Sequence, residues 1–580
     1  MKKILLVFVL FIFLIIPLVH AQEGHIKLLA VTEGDVLEGS IADLFLEIKP
    51  GTGRVFLETF PLSKLDTQMS TRFAKEIACD FIDYDCSKYD FFYTIKAGST
   101  IIGGPSAGAA ASLLTIAVLK EIKLPDFFSI TGTINSGAMI GPVGGVKEKI
   151  KAASESGITK VLIPLSEKTI KENKTSINLV DYGKEIDVEV IPVSDLNDAF
   201  EAASGIILKN EPVIKIDGQY DEIMAGLADD LCNRTQELKL KADSSESLNL
   251  NSQAKKAYEI GSYYSAASFC FGANINYQEE YFSGFDQKTL QNISAEIKQQ
   301  IADFRETIPE IKTINDLQAY MAVEERLYEA EESIKEFNNE TDQLKRPRQL
   351  AYAEERIYSA KSWSKFFEMP GKNIEIEQKD MKESCMQKIS ETEERVEYLS
   401  LFLPKSAENL REGIKITYNY FNKGNYAMCL LNAVKTKSEA NIILSSLYTE
   451  EENIDLLLNQ KLDAAKRVIA EETSKGNFPI MGYSYYDYAA ALQGNDNYAA
   501  LLYSEYAIEL SKLDIYFKEE KQQFKILFDL KSAIILICGI VIGAGSILLF
   551  NRIKKKDVSN IKNDNKTLAK VKRPLLGKKR

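Results

Sequence analysis

Ser106 lies in the run Gly103-Gly104-Pro105-Ser106-Ala107-Gly108, which leads into a stretch of small residues, Ala109-Ala110-Ala111-Ser112. Pro105 suits the first turn of a helix, where no N–H donor is needed. Ser106 would then sit at a helix N-terminus, where free N–H groups and the helix dipole favour an anion. A hydroxyl there has an oxyanion site beside it, and the flanking glycines let a substrate backbone come close. The same hexapeptide also reads as a turn capping a packed helix, without chemistry. A serine nucleophile needs a base. The chain has two histidines, His20 and His25, both near its start, which serves neither a Ser-His-Asp triad nor the common catalytic zinc sites. A lysine serves if burial brings its pKa down by about three units, from about 10.4. Over 146–156, Val146, Ile150 and Ala153 mark the buried stripe of a helix, and Lys149 falls on that stripe. Lys147 and Lys151 fall on the outer face with Glu148 and Glu155. The alternative for Lys149 is a stem lying along the stripe with its head at the edge.

From Gly104 to Pro164 the sequence resembles the proteolytic domain of Lon proteases, which use a Ser-Lys dyad. The resemblance is carried by Gly104-Pro105-Ser106-Ala107-Gly108, Thr131-Gly132, Gly137, Gly141-Pro142-Val143-Gly144-Gly145-Val146-Lys147-Glu148-Lys149, Ala152-Ala153, Gly157-Ile158 and Val161-Leu162-Ile163-Pro164. The 43 positions from Ser106 to Lys149 fit the family order. Weaker similarity runs back to about Lys27. The resemblance implies that Ser106 is the nucleophile and Lys149 the general base. Thr131 would help hold the lysine, and the backbone around Ser106, with Gly104, Pro105 and Ala107, would shape the oxyanion hole. One departure is Gly103, where Lon enzymes usually carry an acidic residue. Another is the motor: the sequence contains no Gly-x4-Gly-Lys-[Ser/Thr] phosphate loop. The chain therefore resembles ATP-independent, membrane-anchored archaeal-type Lon-like proteases. No cofactor and no metal site is expected.

These residues must be positioned by a mixed α/β domain over 25–205. Short β-type runs, Val55-Phe56-Leu57, Phe91-Phe92-Tyr93-Thr94-Ile95 and Val161-Leu162-Ile163-Pro164, alternate with helical stretches at 107–120 and 146–156. A boundary falls at Leu208–Asp217, where Pro212 interrupts. From 218 to 528 the pattern is all-α, a TPR-like array or a bundle. Glu324-Glu325-Arg326-Leu327-Tyr328 recurs as Glu354-Glu355-Arg356-Ile357-Tyr358. A small turn before Tyr and an Ala-rich helix recurs at Gly261-Ser262-Tyr263, Gly424-Asn425-Tyr426 and Asn497-Tyr498.

Residues 1–21, with Lys2-Lys3, an apolar run and Val19-His20-Ala21, read as a signal peptide. Residues 532–550 lack charge and read as a transmembrane helix. Residues 551–580 carry twelve Lys/Arg and two Asp, and read as a basic cytoplasmic tail. These features place the protein in the cell membrane as a single-pass protein, with its protease and helical domains outside. The net charge is −12, and residues 4–550 alone carry −24, which argues against nucleic-acid binding. Neighbour pairing of six cysteines, 79–86, 232–270 and 385–429, is the simplest of the fifteen connectivities.

The functional expectation is a serine endopeptidase that cuts unfolded or flexible exported or membrane polypeptides without ATP. The family resemblance further implies a homo-oligomer, a hexamer. The alternative is a non-enzymatic surface or scaffold protein whose helical ectodomain binds partners, with a degenerate or self-processing protease domain.

Overall fold

The computed structural model describes residues 22–31, 38–60, 62–98, 104–172, 175–210, 213–340, 342–371, 378–447, 449, 453–513, 538–550 and 552. The chain divides into two units, Met1–Lys518 and Glu519–Arg580.

The first unit opens on a sheet. Strands β1 (Gln22–Val31), β2 (Gly39–Pro50) and β3 (Val55–Phe60) lead into helix α1 (Leu65–Phe81) and strand β4 (Tyr89–Ala97). Helix α2 (Gly108–Leu119), strand β5 (Phe128–Ile130) and the short pair β6 (Thr133–Ile134) and β7 (Ile140–Gly141) follow. Then come α3 (Val146–Glu155), β8 (Lys160–Pro164), the hairpin β9 (Thr169–Glu172) and β10 (Thr175–Asn178), α4 (Leu179–Glu185), β11 (Glu189–Val193) and α5 (Leu196–Ser204). The main sheet has the order β11-β8-β5-β1-β2-β4-β3. Its β11, β8, β5 and β1 run parallel, as do β4 and β3, while β2 is antiparallel to both its neighbours.

Two apolar layers cover the sheet. Helices α1, α2 and α5 pack with Leu44, Leu46, Phe91, Tyr93 and Leu162. Helices α3 and α4 pack with Leu29, Val161, Ile163 and Val190 on a second core. Helix α2 is apolar on every side, and all its residues are buried, as expected of a helix without a polar face. Helix α3 is amphipathic, and Val146, Lys149, Ile150, Ala152 and Ala153 form its buried side. The expected strand at Val55-Phe56-Leu57 is β3, that at Phe91–Ile95 lies in β4, and that at Val161–Pro164 lies in β8.

The remainder of the first unit is helical: α6 (Gly218–Lys239), α7 (Ser245–Glu259), α8 (Tyr263–Ser283), α9 (Gln287–Arg305), α10 (Ile314–Asn339) and α11 (Arg346–Trp363), then α12 (Gln378–Ser400), α13 (Pro404–Asn422), α14 (Tyr426–Ser446), α15 (Ile454–Ser474), α16 (Ile480–Leu492) and α17 (Asn497–Ser511). The recurring turn-Tyr phrase marks helix starts. Ser262 caps α8, Asn425 caps α14 and Asp496 caps α17. The two Glu-Glu-Arg phrases place charges inside the helical region, where Glu325 pairs with Lys435 and Glu355 with Arg234. Cys79–Cys86, Cys232–Cys270 and Cys385–Cys429 are disulfides, the neighbour pairing read from the sequence.

The membrane expectation is corrected. Among the described residues no helix is long and apolar enough to cross a membrane, so the single-pass placement, with domains outside and tail inside, is not supported. An uncharged run in a sequence counts residues, whereas a span needs a continuous helix of sufficient length. The signal-peptide reading of 1–21, residues 532–537, nearly all of the basic tail and Gly103 lie outside the described residues.

Candidate active site

The turn that carries Ser106 is held from two sides. Gly104 has φ 97°, a left-handed backbone favourable only to glycine. It is followed by a tight turn at Pro105–Ala107 and by α2. On one side, α1 reaches the turn through hydroxyls: Thr67 Oγ1 donates to the Gly104 carbonyl (3.4 Å) and Ser70 Oγ to the Pro105 carbonyl (3.1 Å). On the other, Gly132 N–H donates to the Ser106 carbonyl (3.2 Å), and Ala109 N–H donates to the Gly132 carbonyl (3.1 Å). These two backbone bonds bring Ser106 against the residue that follows Thr131.

Thr131 continues β5, and its N–H donates to the Leu162 carbonyl of β8 (3.1 Å). It is 1% exposed, and its hydroxyl is buried without a hydrogen-bond partner among the described residues. Such a group is normally satisfied, so Thr131 Oγ1 is available to a group that enters the site. Lys149 is 2% exposed. Burial draws its ammonium down to about 8, against the opposing pull of Glu167 and Glu148. No carboxylate lies within ion-pair distance of it among the described residues. The stripe reading is therefore upheld, and the edge-of-stripe alternative is not: the head as well as the stem of Lys149 is desolvated. Ser106 itself is half-buried. Among the described residues no hydrogen bond joins Ser106 Oγ, Thr131 Oγ1 and Lys149 Nζ to one another.

Glu167 is the residue that sequence reasoning missed. It follows β8 in a short turn. Its Oε1 accepts the Val143 N–H (3.0 Å) in the loop before α3, while Oε2 is closed off from solvent without a partner among the described residues. Burial raises its carboxyl to about 7, with the Val143 N–H and Lys149 pulling the other way. No periodicity marks a lone glutamate in a turn. The only available signal was its position shortly after the Val-Leu-Ile-Pro strand. His25, the histidine outside 1–21, pairs with Asp43 (2.8 Å) across β1 and β2.

Comparison with known proteins places a family match on this part of the chain. Residues 68–205 match the Lon protease (S16) C-terminal proteolytic domain. The chain is 30% identical over 172 residues to the Lon protease of Mycoplasma mobile, covering 27% of this chain and 20% of the relative. It is 34% identical over 119 residues to the archaeal Lon protease of Methanothermobacter thermautotrophicus, covering 20% and 17%. It is 32% identical over 202 residues to the Lon protease of Azospirillum brasilense, covering 33% and 24%. The chain thus spans about a fifth of the length of these relatives. Residues 68–205 of this chain are similar to the proteolytic domain of Lon proteases, and that similarity supports a serine peptidase.

Proposed function

We propose that the chain is an endopeptidase that cuts flexible or unfolded polypeptides without nucleotide, with Ser106 as nucleophile and Lys149 as general base. The single observation that carries this is Lys149, a buried lysine without a carboxylate at ion-pair distance among the described residues, drawn to about 8. A neutral amine at that pKa accepts a proton near physiological pH. For transfer, Ser106 Oγ and Lys149 Nζ must close to about 3 Å. Thr131 Oγ1 is the group that would hold the amine at that distance.

In the proposed reaction the Ser106 Oγ–H proton passes to Lys149 Nζ as Oγ bonds to the scissile carbonyl carbon. The oxyanion forms at the backbone donors near α2. Collapse breaks the C–N bond, and Lys149 returns the proton to the leaving amine. Water then attacks the acyl-serine carbonyl carbon as Lys149 Nζ takes its proton, the bond from that carbon to Ser106 Oγ breaks, and Lys149 returns the proton to Oγ, freeing the acid product and the enzyme. The sequence carries no phosphate loop, so unfolding by ATP is not part of this reading, and substrates must present an open segment. In this reading residues 25–205 do the cutting, the helical region that follows is a TPR-like array or a bundle, and the family habit of assembly makes a homo-hexamer the working oligomer.

The test is incubation of the full chain with an unstructured protein, without ATP. The parent should cleave it, and Ser106→Ala and Lys149→Ala should each lower the rate at least about 10³-fold. Cleavage at the parental rate by either variant would show that the dyad assignment is wrong.

A further inference from the structure

The helical region reaches the nucleophile turn through α1. Helix α1 holds the Gly104 and Pro105 carbonyls with one face. With the other it enters a separate apolar cluster, in which Phe73 packs with Val396, Tyr398, Leu399, Leu410 and Leu444 of α12, α13 and α14. Phe73 meets Tyr398 edge-on at 5.7 Å, and the Arg395 guanidinium lies 4.5 Å over the Phe73 ring. Arg72 pairs with Glu394 at 3.3 Å. Where these layers meet beside the nucleophile turn, a narrow cleft remains. The protease side supplies Ser70, Phe73, Pro105 and Thr133 to Asn135. The helical side supplies Arg395, Tyr398, Phe402, Leu444 and Leu447.

We infer that this cleft is a subsite for one small aliphatic substrate side chain, of alanine to valine size, next to the scissile bond, and that the helical region sets this selectivity. The inference rests on the proposed role of Ser106. Three observations carry it. Pro105, which lines the cleft, is the residue before Ser106, so a side chain one residue from the attacked carbonyl is within reach. The helical wall is apolar apart from the Tyr398 hydroxyl and Arg395, whose charge already faces Tyr398, Glu505, Glu509 and Glu76 and whose Nε–H is given to Asn441. An acidic side chain therefore gains little there, while an apolar one gains burial. Finally, the space between Phe73, Ile134 and Leu444 is narrow, with room for only a few heavy atoms. Pockets of this kind discriminate by about 10- to 200-fold per methylene.

The experiment uses the full chain and peptides carrying Gly, Ala, Val, Leu, Phe or Glu on either side of the cleaved bond. The readout is kcat/KM relative to the Gly peptide within each variant, which cancels any difference in active fraction. The parent is also labelled with a fluorophosphonate to register Ser106. The parent should prefer Ala and Val over Leu, Phe and Glu by about tenfold or more at one of the two positions. Leu447→Ala and Phe402→Ala, both at partly exposed positions of the wall, should raise the Leu-to-Ala ratio at that position about tenfold. Leu447→Trp should abolish the preference for Val. A parental profile that is flat or favours Glu, or ratios unchanged in all three variants, overturns the subsite while labelling keeps the Ser106 reading standing. A parent that neither cleaves nor labels overturns the Ser106 reading and the subsite with it.

Discussion

The two regions of the first unit bury lysine in opposite ways. In the α/β region Lys149 is 2% exposed with no carboxylate at ion-pair distance among the described residues, and its ammonium is drawn down to about 8. In the helical region Lys388 is equally buried, but Glu391 stands 2.9 Å away and Glu509 3.2 Å away, and its pKa is pushed above the usual value despite its burial. Lys461 and Glu505, both fully buried, pair at 2.5 Å, and Ser136 Oγ donates to the same Glu505. A buried ammonium with a partner stays charged and serves packing. One without a partner tends to give up its proton, which is the state a base requires. Burial alone therefore identifies no catalytic lysine. Burial without a close carboxylate is what favours the neutral amine that the proposed role of Lys149 requires.

The widest separation should appear on removing the lysine of the α/β region. Lys149→Met should abolish peptidase activity, at least about 10³-fold in kcat, while leaving the denaturant midpoint equal to or above that of the parent, because no partner is orphaned. A clear loss of stability instead would assign Lys149 to packing. Next in size is Glu505→Ala, which strands Lys461 in the interior. Breaking a buried pair from one side costs about 3–5 kcal/mol, readable in chemical denaturation. A loss under about 1 kcal/mol would erase the contrast between the two lysines.

The smallest effect is the pH response. Activity needs neutral Lys149, so kcat/KM should rise about tenfold per pH unit on the acid side and level off near pH 8, the value to which burial draws it. The Glu167 carboxylate raises the Lys149 pKa. Glu167→Gln should therefore shift the acid limb to lower pH, by less than about one unit for a screened charge beyond contact. A shift to higher pH would mean that Glu167 does not act on Lys149 by charge.

Much of the site was legible because it rests on local patterns. The phase of α3 picked Lys149 over Lys147 and Lys151 from three apolar positions. The turn glycines, Pro105 and the small residues of α2 marked the helix start at Ser106. Strand runs such as Phe91–Ile95 are short, apolar and rich in aromatic residues, which suits a sheet covered by helices. What stayed hidden depends on contacts between distant positions. Glu167 becomes part of the site by accepting a bond from Val143 in another loop. The cleft beside Pro105 exists because Arg72 meets Glu394 and Phe73 meets Tyr398, more than 300 positions apart, and no periodicity encodes such a meeting. The expected membrane span erred in the opposite direction, by reading a tertiary property from composition.

The seam between α1 and α12 to α14 has a practical consequence for anyone wishing to shrink this molecule. A truncation ending between residues 205 and 218 would retain Ser106, Thr131 and Lys149 and look complete on paper. It would also uncover Phe73, Met69 and Ile77, which pack against the helical cluster. It would discard the partners of Asp195 and Ser136, namely Arg467, Lys461 and Glu505. The excised fragment would carry a sticky apolar stripe on the very helix that braces its Ser106 turn. A minimal version of the enzyme has to be resurfaced along α1 before it is cut free.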